Sequence, residues 1–282
     1  MGIGAKRNAN PASLDFLITA YKTSPEFKKL AESSQRNRNY YLELLSTRWG
    51  GRPYGQLTTA KVYEIRDEFQ ETPGKADQLI SALSSLYAFG VKRDMVRSNP
   101  CSKVERLADG EHKAWPHEII EKASWYASPM LWLAIQAHYY TGQRISDVCM
   151  MLRPKDSDTQ IRVIQKKTGK TVDIPIHKAF RDVIRRVPAN SVLLLYNEHR
   201  RQFTPDALRS RLRRLMEEIG EDYTFHGLRK NAVNALLEAG CTTWEVSSIT
   251  GQTAQMVEEY AKDVNRLKLA LSAVHKWETG TK

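Results

Sequence analysis

Hydrophobic spacing in this chain follows the helical period almost everywhere, and one island breaks it. Ile161, Val163 and Gln165 alternate with Arg162 and Ile164, and after Thr168-Gly169 the alternation resumes at Val172, Ile174 and Ile176. Two short runs of period two around a glycine turn read as one β-hairpin. A lone hairpin offers too little sheet to organise a layered fold, so the chain must pack helix on helix. The expected fold class is mainly α.

Before the hairpin, Leu14, Leu17, Ile18 and Tyr21 recur at helical spacing. A second helix is expected over 34–49, stopped by Gly50-Gly51. Thr58 or Thr59 can cap a third, carrying Val62, Ile65 and Phe69. A fourth holds Leu79, Ile80, Leu83, Leu86, Tyr87 and Val91, and Asn99-Pro100 ends the group. Residues 1–10 read as a polar tail, 11–107 as a helical bundle, 108–112 as a polar, Gly-containing linker and 113–282 as a second domain. Helices of that second domain are expected near 178–187, 205–219, 226–239, 243–250, 253–262 and 264–277. Two domains suit a length of 282 residues at roughly 150 per domain.

Composition narrows the function. No apolar stretch approaches the ~18 residues a membrane span needs. The longest candidate, 130–140, is broken by Gln136 and His138. The first ten residues lack an apolar signal core, which points to the cytoplasm. Cys101, Cys149 and Cys241 are odd in number and widely spaced, with no CxxC and no His cluster beside them. Neither a disulfide frame nor a zinc site is expected, and no cofactor is called for. Forty-three Lys and Arg against 32 Asp and Glu leave a net charge of +11, which suits a polyanionic partner, nucleic acid above all.

Four segments carry candidate chemistry. In Thr141-Gly142-Gln143-Arg144-Ile145-Ser146-Asp147, Gly142 lets the chain turn into a helix. Arg144 is expected in its first turn with Asp147 on the same face, and Ile145, Val148 and Leu152 as the buried stripe. An Arg held by a carboxylate at a helix start is preset to grip a phosphate, although an ordinary ion pair looks the same in sequence. In His226-Gly227-Leu228-Arg229 the His and Arg share a helical face, while Leu228, Ala232 and Leu236 face inward. Taken alone, Tyr260 on a short late helix reads as core, and Lys167 at the hairpin tip as a solvated end. Lys167-Thr168-Gly169-Lys170-Thr171 copies the end of a phosphate loop, but Ile164 stands where that loop needs its first Gly and a strand follows instead of a helix.

Taken together and in order, the segments resemble the tyrosine recombinase (phage integrase) family. That family carries an Arg in T-G-x-R-x-x-[E/D], a Lys on a β-hairpin, an H-x-x-R segment, a His or Trp after a Gly, and a Tyr close behind. Here the positions fall on Arg144, Lys167, His226, Arg229, Gln252 and Tyr260, and the resemblance runs from Pro11 onward. It implies a SAM-like helical core-binding domain followed by a mainly helical catalytic domain. It implies a site-specific DNA recombinase working through a 3′-phosphotyrosyl intermediate. Tyr260 would attack, Arg144 and Arg229 would bracket the phosphate oxygens, and Lys167 would protonate the leaving 5′-oxygen. His226 would accept or position the Tyr proton, Gln252 would add a donor, and Asp147 would orient the site from behind. Gln252 replaces the usual His or Trp, and one residue fewer than usual separates it from Tyr260. That departure keeps two alternatives open: a DNA-binding relative with lost or reduced catalysis, and a type IB topoisomerase-like nicking enzyme.

The resemblance also implies double-stranded DNA as partner, with four protomers around two duplexes and a monomer or weak associate off DNA. It leaves room for an accessory DNA-bending or directionality factor, with action at the nucleoid. Arg36, Arg38, Lys92 and Arg93 in the first domain, and Arg200, Arg201, Arg209, Arg211, Arg213 and Arg214 in the second, are the expected DNA contacts, mostly to phosphates. Leu267, Leu269, Leu271, Val274 and Trp277 on the last helix either pack on their own domain or, as in the family, dock on a neighbouring protomer. The residues before Pro11 are too few for the arm-binding domain many phage-type integrases carry, which leaves a two-domain recombinase or a shortened chain.

Overall fold

The computed structural model describes residues 10–108, 110, 112–261 and 266–280. Residues 1–9 of the expected tail, Asp109 and Glu111 of the expected linker, and 262–265 around the start of the last helix lie outside the described residues. The chain divides into two compact units, Met1–Glu111 and His112–Lys282.

The first unit is a helical bundle of α1 (Leu14–Thr23), α2 (Pro25–Lys28), α3 (Glu32–Trp49), α4 (Thr59–Asp67) and α5 (Pro73–Val91). Ser13 caps α1 by accepting from the Phe16 N–H, and Thr58 caps α4 by accepting from Lys61. The single turn α2 follows a Ser24 cap and begins with Pro25. Periodicity misses it because four residues show no period. Leu17, Leu42, Leu45, Leu79, Leu83 and Leu86 are fully buried at the centre, each contributing about 2 kcal/mol. Helix α3 ends where expected but for another reason. Gly50 keeps a right-handed φ of −53°, so no left-handed glycine stops the helix. Its missing Cβ makes room for the Asp15 carboxylate, which accepts from Ser46 Oγ at 2.5 Å.

The second unit runs α6 (His117–Tyr126), α7 (Pro129–Thr141), α8 (Ile145–Val148), β1 (Gln160–Ile164), β2 (Thr171–Pro175), α9 (Lys178–Arg185), α10 (Pro205–Ile219), α11 (Phe225–Glu238), α12 (Thr243–Thr250), α13 (Ala254–Ala261) and α14 (Arg266–Thr279). β1 and β2 pair antiparallel with Ile161 opposite Ile174 and Val163 opposite Val172, all four buried. No described helix is long and apolar enough to cross a membrane.

Helix α7 is the spine. Leu131, Leu133, Ala134, Ile135 and Ala137 are buried, as are Gln136 and His138, the mark of a helix surrounded by its own domain. It packs against α11. His138 is only 1% exposed; its ring stacks on Phe225 at 4.3 Å and its Nδ1 lies 2.7 Å from the Ala134 carbonyl. Burial, against the opposing hydrogen bond and with help from the Arg229 charge, pushes its pKa from 6.5 down to about 4. Above pH 6.5 both folded and unfolded chains hold this ring neutral. Below it the unfolded chain takes up a proton that the folded one refuses, so stability falls as pH drops toward 4, by about 3 kcal/mol across the window. Urea midpoints measured between pH 6.5 and 4 are expected to show this loss, and His138→Phe to remove a large part of it. An identical pH slope in the variant would refute the assignment.

One sequence expectation fails. Helix α8 is a single turn, and Arg144 is its N-cap, in extended conformation, instead of a first-turn residue. The stripe Ile145, Val148, Leu152 does not form: Val148 is buried but Leu152 is 60% exposed. The cause is local. Arg153 precedes Pro154, which disfavours helix before it, so the chain extends, Met151 turns inward and Leu152 pairs as an isolated bridge with Leu193.

Candidate active site

The site starts from the end of α7. Gly142 takes a φ of +60° and its N–H donates to the His138 carbonyl. A Cβ there would also press on Thr250 and Ala232, so glycine is required by conformation and by space. The turn presents Arg144, with its side chain about a quarter exposed and Nη1 4.0 Å from Asp147 Oδ2. Asp147 is itself buried and its Oδ1 accepts from the Lys166 backbone N–H at 2.9 Å. The carboxylate therefore ties the Arg144 turn to the tip of the hairpin.

Arg229, on the second turn of α11, is 2% exposed. Its Nη1 donates to the Gly142 carbonyl, and its Nη2 has no hydrogen-bond partner among the described residues. Burial, then the nearby Arg144 charge, lowers its pKa to about 10. A buried cation beside another cation is costly unless an anion completes the site. His226, one helical turn earlier, lies with its Nε2 3.5 Å from Tyr260 Oη. Desolvation against the cleft wall, then the charges of His112, Arg229, Lys230 and Arg144, push the His226 pKa down to about 4. The ring is neutral at pH 7 and can accept a hydrogen bond from the phenol.

Arg144, Lys167, His226, Arg229, Arg209 and Arg213 line one open cleft of about 850 Å³. Lys167 sits on the turn that closes the hairpin, where the Gln165 N–H meets the Lys170 carbonyl and the Gly169 N–H meets the Gln165 carbonyl; Gly169 has a φ of +68°. Lys166 and Lys170 are not among the lining residues. Tyr260 and Gln252 do not line this cleft either. Tyr260 reaches it through His226, with its ring packed on Val233, Leu237, Val246 and Val257 and Lys230 Nζ 5.5 Å from the ring centre. Gln252 follows Gly251, the left-handed cap of α12. Its side-chain amide is buried, and neither Nε2 nor Oε1 has a partner among the described residues.

The basic residues divide. Arg38 donates to the Tyr21 hydroxyl, Arg36 pairs with Glu32 at 3.9 Å, and Arg93 pairs with Glu26 while covering Phe89. Arg209 pairs with Asp206, and Arg211 pairs with Glu198 and covers Phe203. Lys92, Arg200, Arg201, Arg213 and Arg214 are exposed. In the last helix Leu271, Val274 and Trp277 are exposed; the side chains of Leu267 and Leu269 lie outside what is described.

Spacing and motif alone do not single out His112, Gln143 or Lys230. The His112 ring stands 4.6 Å from that of His226, and its Nδ1 is 3.1 Å from Thr224 Oγ1. Gln143 is fully buried next to Arg144. Gln165 carried a signal, a polar residue at an inward position of an alternating run. His112, in a polar linker, carried none.

Comparison with known proteins shows the family and the fold. The phage integrase family profile matches residues 117–265. No curated protein sequence matches. A dimer of lambda integrase bound to a COC′ core site shares the fold at a TM-score of 0.74 and 16% identity, over 88% of this chain and 95% of that one. The Tn1549 transposon integrase in complex with transposon right end DNA does so at 0.75 and 15%, over 94% and 99%. A lambda integrase tetramer bound to a Holliday junction gives 0.73 and 16%, over 90% and 78%. The family match spans more than half of the chain: the protein belongs to the phage integrase family and is a DNA-breaking and rejoining enzyme of the tyrosine recombinase type.

Proposed function

We propose that the protein is a site-specific recombinase in which Tyr260 is the nucleophile and Arg144, Lys167, His226, Arg229 and Gln252 serve the phosphoryl transfer. The observation that carries this reading is the pair of guanidiniums, Arg144 and Arg229, without full charge compensation beside a His–Tyr contact. Tyr260 Oη forms a bond to the scissile phosphorus and the P–O5′ bond breaks, leaving a 3′-phosphotyrosine and a 5′-hydroxyl. The phenolic proton passes to His226, and Lys167 supplies the proton the 5′-oxygen needs. The pentacoordinate transition state gathers charge on its non-bridging oxygens. Arg229 Nη2 and the Arg144 fork are donors already in place for it, each worth ~3 kcal/mol. The arriving phosphate also offsets Arg144 and Arg229, two of the charges that depress His226, so its basicity rises when the proton must move. Gln252 offers a buried amide donor in place of the family's usual ring N–H. Asp147 orients Arg144 from behind. Strand exchange is the reverse attack by the 5′-hydroxyl of another duplex, which requires no cofactor.

The DNA-bound relatives support duplex DNA as partner and multimers as the working form. Four protomers on two sites, weak association without DNA and docking of the exposed face of α14 on a neighbour are the finer reading, with an accessory DNA-bending factor and action at the nucleoid in the cytoplasm alongside it. The decisive experiment is a duplex carrying the cognate site and a nick beside the cleavage position, so that the 5′-end diffuses away after attack. A covalent protein–DNA adduct is the expected result. Tight, specific binding that never gives an adduct would overturn the enzyme assignment in favour of a binding-only relative, and relaxation of supercoiled DNA lacking any site would favour a nicking topoisomerase.

Phosphate contacts predict a steep salt dependence, with a slope of log affinity against log salt near about −0.9 per contact. Arg213, exposed and on the cleft wall, is expected to be one of them, so Arg213→Ala lowers the slope by about one contact. Fluorescence anisotropy over a KCl series checks this, and an unchanged slope would remove Arg213 from the DNA interface.

A further inference from the structure

Two buried amides, Gln143 on the cleft wall and Gln165 behind it, take no part in the chemistry described so far. Gln143 and Gln165 are both fully buried, as is Thr250. Gln165 Nε2 donates to Gln143 Oε1 at 2.7 Å and to the Thr250 carbonyl at 3.0 Å, and Gln165 Oε1 accepts from Thr168 Oγ1 at 2.9 Å. Gln143 Nε2 donates to the Thr141 carbonyl at 3.1 Å and to the Ile249 carbonyl at 3.0 Å. The amide orientations follow from the partners. Three of the groups facing these amides are backbone carbonyls, which only accept, so the nitrogens must point at them.

Burying two primary amides would be costly if any donor were left unpaired. Here all four N–H groups are used. An apolar pair would pack there with less to satisfy, so what the amides add is directional: a fully satisfied polar cluster holds one geometry. The elements it joins are the ones that bear the reactive groups. Gln143 adjoins Arg144. Thr250 and Ile249 end α12, immediately before Gly251-Gln252 and the helix of Tyr260. A Cβ on Gly251 would run into the Gln165 amide, so the glycine keeps that approach open. Gln165 opens the turn of Lys167.

Lys167 itself is an exposed side chain on a protruding turn. Its two sequence neighbours are anchored from opposite sides. The Lys166 N–H is held by Asp147, and the Thr168 hydroxyl is held by Gln165. We propose that Gln165, locked by Gln143 and the end of α12, is a positioning residue that sets Lys167 over the leaving 5′-oxygen in register with Arg144. The inference rests on the reading of Lys167 as the proton donor, and its test separates the two.

The test uses full-length protein and nicked duplexes carrying the cognate site, with either the natural 5′-oxygen or a bridging 5′-sulfur at the scissile position. A thiolate leaves without a proton, so a defect that acts through Lys167 shrinks on sulfur. Gln165→Met keeps volume and burial and removes the hydrogen bonds. It is expected to slow single-turnover cleavage on oxygen by about 10- to 100-fold, the scale of misplacing a reacting group by an ångström, and to recover most of that on sulfur. In a Lys167→Ala background it is expected to add less than about 2-fold on oxygen, since the two changes remove one function. Thr168→Val, which leaves the buried amides in place, is expected to show a smaller defect with the same recovery, and stands in if Gln165→Met does not fold. If Lys167→Ala recovers on sulfur but Gln165→Met and Thr168→Val do not, or if the defects multiply in the Lys167→Ala background, the positioning role is overturned alone. If Lys167→Ala itself does not recover, Lys167 is not the proton donor and the reading beneath the proposal falls with it.

Discussion

Tyr260→Phe is expected to abolish the covalent adduct on a nicked site while leaving folding and DNA binding in place. The side chain packs against the cluster of Val233, Leu237, Val246 and Val257, and phenylalanine keeps that packing. The hydroxyl lies 3.5 Å from His226 Nε2, at the long end of hydrogen-bond reach, so losing that contact costs at most about 1 kcal/mol of stability. With Tyr260 as the proposed nucleophile, the expected catalytic loss is total by contrast. The attacking oxygen is the atom that stores the phosphodiester bond, and no rearrangement of the neighbouring donors replaces it. Gel separation of adduct from free DNA, with binding measured in parallel, reads both halves of the expectation. An adduct that persists in Tyr260→Phe would make another residue the nucleophile.

Arg229 gives the second large effect, and its sign differs between stability and activity. The side chain is buried, donates to the Gly142 carbonyl and leaves Nη2 unpartnered among the described residues. Burying a cation beside Arg144 with its charge only partly offset by Asp147 destabilises the empty protein, whereas on the proposed reading the same unpaired donor stabilises charge developing on the phosphate. Arg229→Met, apolar and of similar length, is therefore expected to keep or raise thermal stability and to slow cleavage at saturating protein by at least ~100-fold, the scale for one preorganised donor. Arg229→Lys keeps the charge but cannot both hold the Gly142 carbonyl and present a paired fork, so it is expected to recover little. Thermal melting and single-turnover cleavage on the nicked duplex measure the two signs. A strongly destabilised Arg229→Met protein that cleaves normally would make the residue structural.

The two effects show where sequence and structure part company. Helix bounds came from local rules. Thr204 before Pro205 and Thr242 with Glu245 three residues on mark the starts of α10 and α12, and Gly220 and Gly251 mark their ends in left-handed conformation. Both helices run over the residues expected from spacing alone, because caps and periodicity are properties of neighbours three or four positions apart. The hairpin was readable for the same reason, whereas the Arg, Lys, His-x-x-Arg and Tyr segments gained meaning only through their resemblance, in order, to the family. Leu152 misled, since a stripe extrapolated along a helix fails once the helix stops, here after Val148.

Sequence by itself thus determined the longer elements, their order and the chemical types of the candidate site. Tertiary structure alone decided which of those groups meet and in what electrical state. Nothing local to Arg229 says that it is buried beside a second guanidinium, or that its anchor is the carbonyl of Gly142, 87 positions away. Nothing local to Gln165 says that it joins the turn of Arg144 to the end of α12. Such facts depend on how α7, α11, α12 and the hairpin pack, and packing is settled by the whole core at once. Charge compensation, desolvation and donor direction are sums over everything within a few ångströms, and a linear spacing carries only the part of that sum that comes from neighbours in the chain.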